Sequence, residues 1–228
     1  MTQSHTAGAV PAPKKRVSIL ISGRGSNMMA LAEAAQAPDY PAEIAAVISN
    51  RPDAAGLNWA ADHGICAIAL DHKQFATRTA FEARLHSILM NLGTELICCA
   101  GFMRMLTGGF IDRWRDKQLN IHPSLLPAFP GLDTHQRAID AGVKVAGCTV
   151  HFMRLEMDTG PIVWQAAVPV LSSDTAEDLA ARVLAAEHRL YPAALALIAS
   201  GKAVIEGEKV FIREEVNLAP ALYSPMLG

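Results

Sequence analysis

Val17-Ser18-Ile19-Leu20-Ile21-Ser22-Gly23-Arg24-Gly25-Ser26-Asn27 is a β-branched apolar run that breaks abruptly into a glycine-bearing loop. A short apolar run bounded by turn residues is the pattern of a parallel strand buried on both faces. A helix-like stretch follows from Met28 to Ala37. Strand, glycine loop and helix in that order aim backbone N–H groups and the positive end of a helix dipole at the loop, which makes a seat for phosphate. No Gly-Lys-Ser/Thr follows, which excludes the nucleoside-triphosphate loop. Met28 stands where a dinucleotide fingerprint wants a small residue, and the next strand, Glu43 to Ser49, ends in Asn50 instead of an acid. A monophosphate is favoured over a dinucleotide; the alternative is a plain glycine turn capped by Ser26 or Asn27.

Outward from that stretch the alternation continues. Ala54 to His63 reads as a helix, Cys66 to Leu70 as a strand, Thr77 to Leu92 as an amphipathic helix and Leu96 to Ala100 as a buried strand. Strands alternating with helices predict right-handed crossovers and a Rossmann-like open α/β sheet with helices on both faces. From Val145 the pattern changes to two longer strands, Val145 to Met153 and Gly160 to Ala166, whose spacing suits antiparallel pairing. The expected fold has a parallel N-terminal half and antiparallel C-terminal strands. Asp174 or Thr175 is placed to cap a long helix from Glu177 to Tyr191, kinked or restarted by Pro192. A weak hairpin pairs Ala203 to Ile205 with Lys209 to Ile212. Residues 1–15 read as a disordered lead-in, 16–206 as a single domain and 207–228 as a C-terminal extension.

In Leu119-Asn120-Ile121-His122-Pro123-Ser124-Leu125-Leu126-Pro127 an apolar run delivers an amide and an imidazole to one face of an extended segment. Pro123, Pro127 and Pro130 then impose a stiff irregular loop. The bland alternative is a strand end with a capping Asn and a structural His. Gly101-Phe102-Met103-Arg104-Met105-Leu106 puts a large apolar cluster directly after a strand, either as packing or as a wall for a flat ring.

With 228 residues, half of them hydrophobic, and a net charge of −2, the chain has matter for a sizeable core and no sign of a nucleic-acid or membrane surface. Cys66, Cys98, Cys99 and Cys148 lack paired zinc spacing and read as reduced, buried thiols of a cytoplasmic protein.

Gly23-Arg24-Gly25-Ser26-Asn27, Gly101-Phe102-Met103-Arg104-Met105-Leu106, the Asn120-x-His122-Pro123-Ser124 block and Met157-Asp158-Thr159-Gly160-Pro161 occur in the order of the folate-dependent formyltransferases. From about Val17 to about Ser200 the chain resembles that family, and within it the branch that formylates glycinamide ribonucleotide. The resemblance implies a formyltransferase fold and transfer of a formyl group from 10-formyltetrahydrofolate, a co-substrate, with no metal. It implies a catalytic Asn120, His122 and Asp158, with the first two donating to the oxyanion and Asp158 handling the proton. It assigns Gly25, Ser26, Asn27 and Glu187 to the ribotide. It assigns Arg78, Met103, Arg104, Met105, Leu106, Asn120, Arg154, Leu155, Glu156, Met157 and Asp158 to the folate. The partners it implies are these small molecules, with no nucleic acid or membrane; a homodimer is left open.

Asp133 stands where many family members carry His, and it adds negative charge near the Asp158–His122 pair. His151 and His135 read either as satisfied core histidines or as neighbours of the site. The alternative activity is a deformylase, which transfers the formyl group to water. That branch normally carries an N-terminal regulatory domain, for which the residues before the first strand are expected to be too few. A transfer-RNA formyltransferase would normally add a C-terminal barrel and a basic surface.

Overall fold

A computed structural model describes residues 13–213 and Ser224. Most of the lead-in (1–12) and most of the extension (214–223 and 225–228) lie outside the described residues.

The chain builds β1 (Lys15–Ile21), α1 (Ser26–Ala34), β2 (Ala42–Ser49), α2 (Ala55–Asp62), β3 (Ala67–Ala69), α3 (Arg78–Asn91), β4 (Leu96–Cys99), α4 (Gly108–Arg113), β5 (Gln118–His122), α5 (Thr134–Asp140), β6 (Val145–Phe152), β7 (Ile162–Pro169), α6 (Ala176–Ala199), β8 (Ala203–Glu206) and β9 (Lys209–Ile212). Seven strands form one sheet in the order β3-β2-β1-β4-β5-β6-β7. β3 through β5 pair in parallel, while β5–β6 and β6–β7 are antiparallel. The expected mixed sheet is the observed one.

Alternation along each strand divides the core between the two faces of the sheet. Val17, Ile19 and Ile21 pack toward α1, α2, α5 and α6. Leu20, Ile48, Ile97 and Cys99 pack toward α3 and α4. β1 pairs β2 on one side and β4 on the other, so the strand order reverses between β1 and β4. In open α/β sheets ligands bind outside the carboxyl ends of the strands at such a reversal.

Several local expectations are corrected. α1 is capped by Gly25 in the left-handed region (φ 72°), without a side-chain cap from Ser26 or Asn27, and it ends at Ala34 instead of Ala37. The stretch after Pro130 is irregular only to Asp133, the N-cap of α5. α6 runs through Pro192 unbroken to Ala199. The lost backbone bond is offset because Leu190, Tyr191, Ala194 and Leu195, on either side of it, are buried against the sheet. The Tyr191 hydroxyl reaches the carbonyls of Cys99 and Leu119 at 3.1 and 3.0 Å, which ties α6 to the ends of β4 and β5. Thr175, not Asp174, caps α6, in a capping box with Asp178. Cys66 is exposed, unlike the other three cysteines, because β3 is the edge strand. The β8–β9 hairpin forms as expected and runs across residue 206.

Candidate active site

Four loops meet outside the carboxyl ends of β1, β2, β4 and β5, and a small relay ties three of them. Ser22, at the end of β1, donates its backbone N–H to Gly101 at 3.1 Å and its hydroxyl to Asn50 Oδ1 at 2.5 Å. The same hydroxyl oxygen accepts the N–H of Met103 at 2.8 Å. Asn50 is held in turn by His72, whose Nδ1 lies 2.8 Å from the Asn50 carbonyl. The Asn50 that argued against a ribose-binding acid therefore braces the loop crossing.

The expected trio converges. Asn120 and His122 lie on one face of β5, two positions apart, as the extended segment requires. His122 Nδ1 is 3.3 Å from Asp158 Oδ1, and the side chains are only 7% and 10% exposed. Asp158 stands at φ 55° in the β6–β7 loop, a backbone region that Asp tolerates better than most residues. Its second oxygen accepts the Gly131 N–H at 2.7 Å, so the carboxylate also fixes the end of the proline loop. His122 Nε2 donates to the Phe129 carbonyl at 3.1 Å. Both ring nitrogens thus face acceptors.

His151 pairs with Asn120 across β5 and β6. Its Nδ1 lies 3.1 Å from the Phe152 carbonyl, which can only accept, so Nδ1 carries the proton. Nε2 then accepts from Asn120 Nδ2 at 3.3 Å, leaving the second amide hydrogen of Asn120 for another acceptor. Burial above all pushes the His151 pKa down, in keeping with this neutral ring. His135 lines a small cavity of about 120 Å³ under the proline loop with Ser124, Leu125 and Phe129. Burial lowers its pKa, helped by nearby His122. Asp133 is exposed, so solvent screens its charge from the buried pair.

On the β1 side, no side chain caps the start of α1, which leaves its first N–H groups for a ligand, as a phosphate seat requires. Asn27 Nδ2 donates to Glu187 Oε2 at 2.7 Å, joining α1 to α6. Glu187 is buried, and this desolvation raises its carboxyl pKa against the opposing effect of the Asn27 bond. Gly56 holds the glycine loop from behind. Its N–H bonds the Gly23 carbonyl at 3.1 Å, and a Cβ there would sit 2.6 Å from the Ile21 side chain and 3.0 Å from the Arg24 carbonyl.

On the β4 side the apolar loop divides. Leu106 enters the core with Phe81 and Phe110, whereas Met103 and Met105 are 71% and 59% exposed. Packing and wall are thus both present in one loop. The Arg104 guanidinium lies 5.1 Å above the Phe81 ring. Arg78 is exposed at the start of α3. In the β6–β7 loop Leu155, Glu156 and Met157 are exposed. Arg154 is different, because its guanidinium is committed to Asp116 and Glu208, both at 2.8 Å, which leaves mainly its backbone for a ligand.

Sequence reasoning missed the Phe129 carbonyl, the Ser22–Asn50–His72 relay, Gly56 and Glu82. Only Gly56 left a signal, since glycine in the first turn of a helix is otherwise unfavourable. Among the described residues there is no group of three or more His, Cys, Asp or Glu able to hold a metal ion. No described helix is long and apolar enough to cross a membrane.

The Asn120, His122 and Asp158 cluster lies beside the last parallel strand of a mixed α/β sheet, the architecture of a group-transfer enzyme. A family model described as formyl transferase matches residues 15–195, and the chain belongs to that family. It is 41% identical over 188 residues to the phosphoribosylglycinamide formyltransferase of Haemophilus influenzae, covering 82% of this chain and 89% of that one. It is 49% identical over 205 residues to the trifunctional purine biosynthetic protein adenosine-3 of Gallus gallus. That match covers 90% of this chain but 20% of the relative, so the chain spans about a fifth of that longer protein. Among solved structures, glycinamide ribonucleotide transformylase 1 of Symbiobacterium toebii superimposes with a TM-score of 0.85 at 48% identity, over 88% of this chain and 95% of that one.

Proposed function

We propose that this chain transfers the formyl group of 10-formyltetrahydrofolate to the primary amine of glycinamide ribonucleotide, giving formylglycinamide ribonucleotide and tetrahydrofolate, a step of purine synthesis. The reading takes residues 16–206 as the formyltransferase domain, a cytoplasmic location and small molecules as partners.

The amine attacks the formyl carbon, and the carbonyl π electrons move to oxygen as a tetrahedral oxyanion. Asn120 offers the amide hydrogen that His151 leaves free. His122 contributes once Nε2 exchanges the Phe129 carbonyl for the oxyanion, while Asp158 keeps the ring oriented through Nδ1. Fixed donors aimed at developing charge are the strongest term open to such a site. Asp158 takes the proton lost by the amine, directly or through a water, and collapse of the intermediate expels the folate nitrogen, which takes up a proton.

In this reading Gly25, Ser26 and Asn27 seat the ribotide phosphate and Glu187 recognises the ribotide. Arg78 meets the folate tail. Met103, Arg104, Met105 and Leu106, with Arg154 to Asp158, line the folate slot, Leu106 and Arg154 through backbone groups. What most supports the reading is the buried His122–Asp158 contact beside Asn120 at the carboxyl end of β5.

The test is release of tetrahydrofolate by the purified chain with and without glycinamide ribonucleotide. Release only with the ribotide is expected. Release without it would make water the acceptor and the chain a deformylase.

A further inference from the structure

We propose that Glu82, outside the trio, is a positioning residue that sets the register of the folate-facing loop. The proposal rests on the functional reading above.

Glu82 lies on α3, is 4% exposed and has no cationic partner among the described residues. A buried carboxylate without countercharge is unfavourable unless hydrogen bonds satisfy it. Both oxygens of Glu82 are spent on a single residue. Oε1 accepts the Thr107 N–H at 2.7 Å, and Oε2 accepts the Thr107 hydroxyl. Thr107 is the N-cap of α4 and marks where loop 101–106 rejoins regular structure.

The other helix caps show that this arrangement is more than capping needs. Thr77 caps α3 by accepting the Ala80 N–H. Thr175 caps α6 with Asp178, three residues on. Only Thr107 among them is held by a carboxylate from a different helix, 25 positions away.

The neighbouring contacts serve the same loop. Phe81 lies beneath the Arg104 guanidinium, and Leu106 packs in the same cluster as Phe81. At the loop's other end Ser22 accepts the Met103 N–H. Between these pins stand Met103 and Met105, exposed, and the backbone groups that would meet the pterin. A loop that recognises a flat heterocycle through its main chain needs its register held to a fraction of an ångström. Arg78, Phe81 and Glu82 follow i, i+3, i+4 spacing on α3 and so share a face, which links the proposed tail contact to the loop support.

The experiment is steady-state kinetics of Glu82→Gln, which keeps the shape but loses the charge and one acceptor. The KM for 10-formyltetrahydrofolate is expected to rise roughly ten- to a hundredfold, with that for the ribotide moving by no more than about twofold, as loss of a charge-assisted hydrogen bond on one wall implies. Equal rises for both substrates, or lowered thermal stability with unchanged folate KM, would overturn the proposal. If Glu82→Gln fails to fold, Thr107→Val carries the test, because it keeps the N–H and the branched shape and loses only the hydroxyl. It should raise the folate KM in the same direction, and Thr107→Ser should rescue it. Should the wild-type chain show no ribotide-dependent turnover, the functional reading falls by itself. Glu82 is then judged by equilibrium dialysis of the folate against wild type and variant, where equal affinity sinks the proposal.

Discussion

On one proposed wall of the site the chain sets half-buried Gly25 to Asn27 at the tip of α1 and buried Glu187 inside α6, with a hydrogen bond from Asn27 to Glu187. On the other it sets Met103, Met105, Leu155 and Met157 on loops that leave all four exposed. The first wall is made by regular elements and polar atoms whose positions follow from helix geometry. The second is made by flexible thioether and alkyl side chains whose exposure has no rationale in the fold alone. In the proposed function a small, highly polar ligand would meet fixed N–H groups and a buried carboxylate. A large flat one would meet an adaptable apolar surface that it covers on binding. The difference teaches where rigidity comes from, since the soft wall borrows it from Ser22 and Glu82 behind.

The comparison breaks first where the walls meet. Asp158→Asn removes the charge of the proposed proton acceptor beside His122 while keeping the side-chain shape. Turnover is expected to fall about 10²–10⁴-fold with both KM values little changed. His122→Ala should behave alike, and the double variant should lose far less than the product of the two, because residues that act as a unit are not additive. A large rise in one KM without loss of kcat would place Asp158 in a wall instead of between them.

Next in size is Gly160→Ala. Gly160 has φ 114°, and a Cβ there would lie 2.3 Å from the Phe152 carbonyl oxygen. The β6–β7 loop must move to accept it, shifting Asp158 and the exposed Leu155 and Met157 together. A stability loss of about 1–3 kcal/mol is expected from the strain. Activity should fall with a raised folate KM and an unmoved ribotide KM. If the ribotide KM moves as well, the loop belongs to both walls.

These two sites differ in how far they could be read from sequence. Asn120 and His122 were legible because a strand's two-residue period dictates a shared face. The sheet was legible because apolar runs and glycine breaks alternate along the first hundred residues. Asp158 could be named through the resemblance, but not its bond to Gly131, which joins loops far apart in the chain. Glu82 was invisible for the same reason, since on a helix a lone Glu reads as a solvated charge until the fold buries it under Thr107. α5 escaped because its N-cap, Asp133, adopts φ 55° directly after a proline-rich loop that conceals the start. The exposed Met103 and buried Leu106 share one composition and one loop, and only packing separates them.

A smaller effect sharpens the polar wall. Asn27→Ala removes the bond to Glu187 and leaves the α1 backbone in place. The ribotide KM should rise about tenfold, the cost of one charge-assisted hydrogen bond, with the folate KM unchanged. Parallel changes in both would mean that the two walls are one unit.

The smallest effect concerns the energetic cost of building a polar wall in advance. Burial raises the Glu187 pKa in the folded chain above its ordinary value of 4.5, so the native state binds this proton more readily than the unfolded chain. The associated stability is full below the ordinary carboxyl pKa and is lost as pH rises through the folded value. Glu187→Gln has no such proton to lose, and its oxygen can still accept from Asn27. The melting temperature of Glu187→Gln relative to wild type should therefore increase as pH rises from 4.5, then level off above the folded pKa, a gain of a few degrees. A flat difference for Glu187 across that range would mean that the Asn27 bond fully offsets its desolvation and that the polar wall is built without strain.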